Sequence, residues 1–339
     1  MPDSKQYEIF DCGDICLQSG EVLPQAQLAF KTYGTLNQDR SNAVLFTTWF
    51  AARHWQNEWL IGKGCVLDPE RWFIIVPNLF GNGLSSSPST MPPPTDRGRF
   101  PHITIYDNVL QQQRLLMERF GIDRLALAIG RSMGAMQVMQ WACLYPDSVP
   151  RLIAMTGAAR TAPHTYVFLA GLKAALTADC EWRGGDYEAQ PSAGLRAFGR
   201  VYAGWIYSQS WYREQRYRED GVASLEDFLA QKWDTNFAGR DANDLLSHLD
   251  TWQQFDISRN PVFNGNIERA LSAITARSIL MPCRSDLYFP PEDNAYEVSK
   301  MPNAELRVIP SIAGHRASGP GSDAADLAFL EKAIVELLH

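Results

Sequence analysis

A serine between two glycines carries the clearest chemical signal in this sequence. Gly130, Ser132 and Gly134 form the pattern G-x-S-x-G between an apolar run at 125–129 and a helix-like run that begins near Met133. A serine nucleophile needs such a tight strand-to-helix turn, because its hydroxyl must project above the sheet edge and the glycines let strand and helix approach without Cβ clashes. The N–H groups at the helix start suit a developing oxyanion. The pattern therefore predicts acyl-group chemistry through Ser132.

A serine hydroxyl is a weak nucleophile, so a base and an orienting acid must accompany it. In the α/β-hydrolase fold, where this strand-turn-helix motif occurs, the acid and then the histidine follow the serine along the chain. His315 is the internal histidine that comes late enough, just after a strand predicted for the apolar run 306–309. Asp286 follows the apolar run 278–281 and is the preferred acid, with Asp293, about two helical turns further on, as the alternative.

Two backbone N–H groups are expected to bind the oxyanion of the tetrahedral intermediate. One belongs to Met133, directly after the nucleophile. The other lies on the loop after the apolar run 43–48, where Trp49 is preferred over Phe50. Because a backbone donor requires no particular side chain, the sequence does not choose between these two residues.

The elements that must position these residues have the pattern of a parallel sheet. Short apolar runs rich in β-branched and aromatic residues lie at 43–48, 72–77, 125–129, 151–156 and 278–281. Such runs are typical of strands in a parallel sheet that is buried on both faces. Strand, turn and helix alternate around residue 132, which is typical of a βαβ unit. The sequence therefore predicts an α/β protein with a mostly parallel central sheet flanked by helices.

The pattern changes between residues 160 and 270. Five of the ten tryptophans lie in this segment, and no strand pattern is clear. We therefore divide the chain into a first part of the α/β-hydrolase core at 1–159, a helical lid insertion at 160–270 and a second part of the core at 271–339. The aromatic side chains of the insertion either line a substrate pocket or form a core of their own, and both interpretations stay open here.

Composition limits the expected partners and location. The 339 residues carry a net charge of -7 and no basic stretch that could neutralise phosphates, so no nucleic-acid partner is expected. Residues 1–5 do not resemble the start of a signal peptide, and no apolar run reaches about 18 residues. We expect a soluble, cytoplasmic protein without membrane contact. Six scattered cysteines lack the spacing of metal ligands, which predicts buried free thiols and neither a metal nor a cofactor.

Several stretches resemble the homoserine O-acetyltransferase family of α/β-hydrolase-fold proteins, over nearly the whole length. The nucleophile stretch 130–137, GRSMGAMQ, is similar to the family's G-G-S-M-G-G-M-Q. Further similar stretches lie at 17–37, 67–83, 182–187 and 285–291. The resemblance implies a helical lid, a triad of Ser132, Asp286 and His315, and a homodimer. It also implies a ping-pong reaction, in which an acyl group passes from a thioester such as acyl-CoA to the serine and then to a hydroxyl.

The departures from that family concern the site of the acyl acceptor. Arg316 follows the histidine where the family has an aspartate, and Arg131 replaces a glycine of the elbow. The pair Trp49 and Phe50 replaces Leu-Thr, and with a slip of one residue Arg200 matches a substrate-binding arginine of the family's lid. An arginine repels the ammonium group of an amino-acid acceptor. We therefore expect a neutral or anionic acyl substrate rather than homoserine, in a pocket formed by Phe50, Arg131, Arg200 and Arg316.

These features favour hydrolysis of an ester or a related small-molecule acyl compound, with water resolving the acyl-serine. The alternative is an acyl-CoA-dependent O-acyltransferase that uses a different alcohol as acceptor. Both reactions share the acyl-enzyme and differ in whether water is excluded from the second step. A third hypothesis is a non-catalytic binding protein on the same fold, although binding would not require all three residues of the triad. Haloperoxidase or lyase chemistry on the same triad also stays open.

Overall fold

The computed structural model describes residues 6–338, apart from the side chain of Asp220, so the prediction made for residues 1–5 lies outside the described residues. The strands are β1 (Glu8–Cys16), β2 (Val22–Tyr33), β3 (Ala43–Thr47), β4 (Phe73–Pro77), β5 (Leu127–Arg131), β6 (Arg151–Met155), β7 (Arg277–Met281) and β8 (Ala304–Leu306). The helices are α1 (Ile105–Arg114), α2 (Met133–Leu144), α3 (Pro163–Thr177), α4 (Ser192–Ile206), α5 (Gln209–Arg213), α6 (Leu225–Phe228), α7 (Ala242–Gln253), α8 (Ile267–Ser272), α9 (Pro291–Lys300) and α10 (Ala324–Leu338). Short 3-10 turns include His54–Leu60 and Gly314–Ser318.

The strands form one sheet in the order β1-β2-β4-β3-β5-β6-β7-β8. β1 pairs antiparallel with β2, and β2 pairs antiparallel with β4. The strands from β4 to the β8 edge all pair in parallel. Since parallel strands end at the same edge, the loops after β3, β5, β7 and β8 meet there. The predicted α/β class with a mostly parallel sheet is confirmed.

Buried apolar side chains cover both faces of the parallel strands. Every residue of β3, β4 and β5 is buried, and alternate residues point to opposite faces. In β3, Ala43 and Leu45 belong to one buried cluster, whereas Val44 and Phe46 belong to the other. Helix α2 contributes to the first cluster and α10 to the second. This burial on two sides explains why these strands read as near-continuous apolar runs.

Among the parallel strands, the largest differences from the predicted bounds lie at β5 and β8, whereas β3, β4, β6 and β7 differ by one residue. β5 continues to Arg131, which pairs with Met155, so the strand reaches the turn at Ser132 without a gap. The strand predicted at 306–309 is wrong, because β8 ends at Leu306 and Ile309 makes only an isolated bridge. Pro282 directly follows β7. Because proline has no backbone N–H, the hydrogen-bond ladder between β7 and β8 is interrupted at this residue.

Six helices, α3 to α8, follow β6 and precede β7. Apart from the isolated bridge between Arg160 and Asp256, the described residues of this segment contain no strand. Helix α3 packs against both α4 and α7. The residues at 160–270 are called the helical insertion below; their division from the core as a separate unit stays a prediction.

The described part of the chain also bears on the remaining predictions from composition. None of its helices is at once long and apolar enough to cross a membrane. Within residues 6–338, no three His, Cys, Asp or Glu side chains gather in a way that could hold a metal ion. The six cysteines are free thiols, and Cys12, Cys143 and Cys283 are buried. The prediction of buried thiols is wrong for Cys16, at the end of β1, and for Cys180, at the start of a short 3-10 turn, since both are exposed; Cys65 is half-buried.

Candidate active site

Ser132 occupies a strained turn between β5 and α2. Its backbone has φ 53° and ψ -128°, a conformation that side-chain-bearing residues rarely adopt. A Cβ on Gly130 would lie 2.3 Å from the carbonyl carbon of Gly134, and a Cβ on Gly134 would lie 2.8 Å from the Thr47 carbonyl oxygen. Both glycines are therefore needed for the close approach of strand and helix that the motif predicts. Sequence reasoning missed a third, Gly157, where a Cβ would lie 2.9 Å from the carbonyl oxygen of Ser132.

The structure brings Ser132, His315 and Asp286 together in one hydrogen-bonded row. His315 Nε2 lies 3.0 Å from Ser132 Oγ, and His315 Nδ1 lies 2.8 Å from Asp286 Oδ2. The other carboxylate oxygen, Oδ1, accepts the backbone N–H groups of Tyr288 and Phe289 at 2.8 and 3.3 Å. These contacts fix the carboxylate on the loop after β7, with its oxygen facing the imidazole. The geometry is that of a serine, base and acid, while the catalytic role of each stays a prediction.

The alternative acid lies elsewhere. Asp293 is on α9 and lines a separate cavity with Arg160. It makes no hydrogen bond to His315, whose acidic partner among the described residues is Asp286.

The surroundings of His315 favour its neutral form. The imidazole is 2% exposed, and this burial lowers its pKa. Asp286 opposes the shift through its charge and hydrogen bond, whereas the charges of Arg131 and Arg316 lower the pKa further. The ring of Tyr288 packs 4.6 Å from the imidazole between ring centroids. A neutral ring that donates Nδ1–H to Asp286 leaves Nε2 free to accept the serine proton.

The predicted oxyanion donors lie beside the nucleophile. The backbone N–H groups of Met133, Trp49 and Phe50 have no hydrogen-bond acceptor within residues 6–338. Met133 is the first residue of α2, so its N–H adds to the positive end of the helix dipole. Trp49 and Phe50 line the same cavity as Ser132. The choice between these two N–H groups stays open.

His248 supports this loop and was missed by sequence reasoning. The side chain is 1% exposed on α7, and its Nδ1 accepts the backbone N–H of Ala51 at 3.1 Å. Its Nε2 must then carry the proton, which it donates to the Phe80 carbonyl oxygen at 3.0 Å. Burial lowers the pKa of His248 to about 4, so the ring is neutral near pH 7. Only the packing of α7 reveals this contact, because the two partners are 197 residues apart.

A cavity of about 140 Å³ adjoins Ser132 and His315. Of the predicted pocket residues, Phe50, Arg131 and Arg316 line it. Arg200 does not: its guanidinium donates to Asp234 and Glu226, each at 2.7 Å, on an exposed face of the helical insertion. The placement of Arg200 in the pocket is therefore corrected, because two carboxylates outside the cavity hold its charge.

The aromatic residues of the insertion divide between the two interpretations that the sequence left open. Tyr202, Trp233 and Phe237 line the cavity. Trp252 is fully buried and stacks against Phe289 at 5.9 Å between ring centroids, so it belongs to the core. The remaining tryptophans of the insertion lie outside the cavity lining. Tyr202, Trp233 and Phe237 thus form a face of the insertion that covers Ser132, whereas Trp252 packs into the core.

Arg131 makes structural contacts and carries a buried charge that has no ion-pair partner among the described residues. It is 4% exposed, its guanidinium carbon lies 4.8 Å above the Trp49 ring, and Nη2 donates to the carbonyl oxygen of His315 at 3.1 Å. These contacts connect the elbow to the loop that carries the histidine. Burial lowers the pKa of Arg131 to about 10, and the nearby charge of Arg316 contributes. Its Nε has no acceptor among the described residues.

Comparison with known proteins relates this site to enzymes that act on acyl groups. A family model described as the alpha/beta hydrolase fold matches residues 44–318. A probable esterase of Corynebacterium glutamicum is 38% identical over 91% of this chain and 89% of its own. The solved acetyl esterase MekB superposes with a TM-score of 0.96 at 36% identity, over 99% of this chain and 97% of that chain. A homoserine O-acetyltransferase of Geobacter sulfurreducens is 31% identical over 90% of each chain.

Proposed function

The chain belongs to the α/β-hydrolase fold family, within its homoserine O-acetyltransferase-like group, and on this basis we propose that it hydrolyses small carboxylic esters through an acyl-enzyme on Ser132. The observation that carries the proposal is the hydrogen-bonded row from Ser132 Oγ through His315 to Asp286. Likeness to an acetyl esterase supports water as the acceptor. The cavity of about 140 Å³ is well below the roughly 300–1,000 Å³ of sites for drug-sized ligands, which supports a short acyl group.

In the first half-reaction, Ser132 Oγ attacks the ester carbonyl carbon while His315 Nε2 takes the hydroxyl proton. The carbonyl oxygen becomes an oxyanion and accepts the N–H of Met133 and that of Trp49 or Phe50. The C–O bond to the alcohol then breaks, and the imidazolium gives its proton to the leaving oxygen. Throughout, Asp286 holds Nδ1–H and stabilises the positive charge on the ring.

In the second half-reaction, water takes the place of the alcohol. His315 Nε2 accepts a proton from this water as its oxygen bonds to the acyl carbon. The tetrahedral intermediate collapses, the bond to Ser132 Oγ breaks, and the imidazolium returns its proton to the serine. The acid leaves as a carboxylate, releasing a proton to solvent.

Acyl transfer is the second candidate function, favoured by the 31% identity to a homoserine O-acetyltransferase. It would use the same first half-reaction, with acyl-CoA as donor, and a substrate hydroxyl would replace water in the second. Arg316 directly follows His315 and lines the cavity, so the ammonium group of an amino-acid acceptor would meet like charge.

Turnover of p-nitrophenyl acetate with and without added alcohols separates the two functions. We expect steady release of acetate at a rate that homoserine and simple alcohols do not increase. Acceleration by an alcohol, with formation of its acetate ester, would instead establish a transferase.

We further propose that the protein is a cytoplasmic homodimer. The six free thiols fit a reducing compartment. Tyr166 and Val167 on α3 are 51% and 65% exposed and offer an apolar contact surface. Light scattering of the pure protein is expected to give twice the chain mass of 38.1 kDa; a single chain mass would refute the dimer.

A further inference from the structure

The cavity beside Ser132 has a charge opposite to that of the whole chain. Arg131, Arg240 and Arg316 line it, and its lining includes no acidic side chain. The chain as a whole carries a net charge of -7. A cluster of one sign inside a low-dielectric cleft focuses the field and attracts ligands of the opposite sign.

None of these three arginines has a carboxylate partner among the described residues. Arg131 donates to the carbonyl oxygen of His315, and Arg316 donates to that of Pro320 at 2.7 Å. Arg240 donates to the side-chain oxygen of Gln56 at 3.3 Å. These acceptors are neutral. Asp286 acts on Arg131 and Asp244 on Arg240 through charge at a distance, but neither carboxylate forms an ion pair with these arginines.

Arg131 is buried, whereas Arg240 and Arg316 are half-buried, and this loss of solvent makes an unpaired charge unfavourable. Buried charges in proteins are normally paired, because the charged form loses its hydration. Burial lowers the pKa of both Arg131 and Arg240 to about 10, which still leaves both charged near pH 7. Arg200 is a contrast within the same chain, since it is exposed and held by two carboxylates.

We propose that the substrate supplies the missing negative charge: the cavity accepts esters that carry a carboxylate a few bonds from the scissile bond, with that carboxylate bound by Arg131, Arg240 and Arg316. This inference rests on the proposed esterase function and names its substrate class. Guanidinium groups match carboxylate oxygens in both charge and fork geometry. The carboxylate belongs either to the acyl part, as in a half-ester of a dicarboxylic acid, or to the alcohol part, as in an acylated hydroxy acid.

Two pairs of esters test the proposal, because within each pair a methyl ketone replaces the carboxylate at nearly the same size. Monoethyl succinate and ethyl levulinate differ in the acyl part. 3-Acetoxypropanoate and 4-acetoxy-2-butanone differ in the alcohol part. We expect kcat/KM to be at least about tenfold higher for the anionic member of one pair. The pair that shows this preference identifies the side on which the carboxylate lies.

Variants connect the preference to the arginines. Arg240→Gln and Arg316→Gln are each expected to lower the ratio of anionic to neutral kcat/KM by about tenfold. Arg240→Lys should retain part of the preference, since it keeps the charge. Arg200→Gln is the matched control, because it removes one cation outside the cavity and should leave the ratio unchanged. The ratio is informative because general damage to the site lowers both rates.

Salt provides a test on the wild-type protein that does not depend on how the variants fold. Rising NaCl should lower the rate for the anionic ester more than that for the neutral one. Equal rates within both pairs, or a preference that persists in both glutamine variants, would overturn the proposal. Neither outcome touches the esterase function, which fails only if the neutral esters and p-nitrophenyl acetate are not hydrolysed.

Discussion

In the proposed mechanism, the position of one proton on His315 determines whether Ser132 can react. With Nδ1–H donated to Asp286 at 2.8 Å, the lone pair of Nε2 faces the serine hydroxyl at 3.0 Å. The carboxylate can accept but cannot donate, so it permits only this tautomer of the neutral ring. Two backbone N–H groups hold the carboxylate in turn. The reactivity of the serine therefore depends on a chain of contacts that begins in the loop after β7.

Asp286→Asn tests this series of hydrogen bonds. The amide keeps the shape of the carboxylate but can donate to Nδ1, which would place the proton on Nε2 and remove the base. We expect kcat to fall by about 10⁴, with little change in thermal unfolding. Steady-state kinetics and a melting curve measure both quantities. Asp293→Asn is the control, and an equal loss there would contradict the assignment of Asp286.

The pH dependence of kcat/KM reports the same imidazole. The active form is neutral, so activity is present above the pKa of His315 and is lost as the pH falls through it. Burial holds this pKa below 6.5, and the charges of Arg131 and Arg316 lower it further. We therefore expect an acidic midpoint below pH 6.5 in wild type. The midpoint should move upward in Arg316→Gln and stay in place in Arg200→Gln; a fixed midpoint in Arg316→Gln would contradict this electrostatic account.

The elements that the sequence predicted well are those whose geometry depends on neighbouring residues. The elbow could be placed because Gly130 and Gly134 are needed wherever strand and helix approach so closely, and α2 begins at Met133 as expected. The bounds of β8 could not be predicted, because Pro282, which follows the neighbouring strand β7, interrupts the pairing, and no residue of β8 itself signals this. Contacts between distant elements leave no periodic pattern, and His248 is the clearest example.

His248 connects α7 of the helical insertion to the loop that carries Trp49 and Phe50. In His248→Ala, the backbone N–H of Ala51 and the carbonyl of Phe80 lose their partner, and the loop loses a fixed position. Since one oxyanion donor contributes about 10²–10³ in kcat, we expect a tenfold to hundredfold fall in kcat for p-nitrophenyl acetate with a smaller change in KM. The role proposed is positioning, because the imidazole bonds only backbone groups.

His248→Gln separates this role from general destabilisation. The glutamine amide has one acceptor and one donor group, so it can replace both hydrogen bonds in part and should recover part of kcat. His164→Ala is the control, since His164 packs on Trp205 of the insertion without touching the loop. Equal kcat in His248→Ala and wild type would refute the positioning role.

At the scale of the whole molecule, alternation of apolar runs with a helix predicted the α/β class, and the order Ser132, Asp286, His315 predicted which residues meet. The residues that line the pocket were harder to predict from the sequence. Arg240 was missed and Arg200 was chosen instead, because the packing of the insertion decides which side of α4 faces the cavity and where the turn before α7 lies. The contrast between a net charge of -7 and a cavity lined by three arginines likewise appears only in the folded chain.

The proposed nucleophile predicts an acyl-enzyme on Ser132, which can be observed directly. Wild-type protein is mixed with p-nitrophenyl acetate, quenched in acid within milliseconds, digested and measured by mass spectrometry, beside Ser132→Ala. We predict an acetyl group on the peptide that contains Ser132, and a loss of turnover of more than about a thousandfold in Ser132→Ala with its fold intact. If Ser132→Ala turned over the ester as fast as wild type, Ser132 would not be the nucleophile.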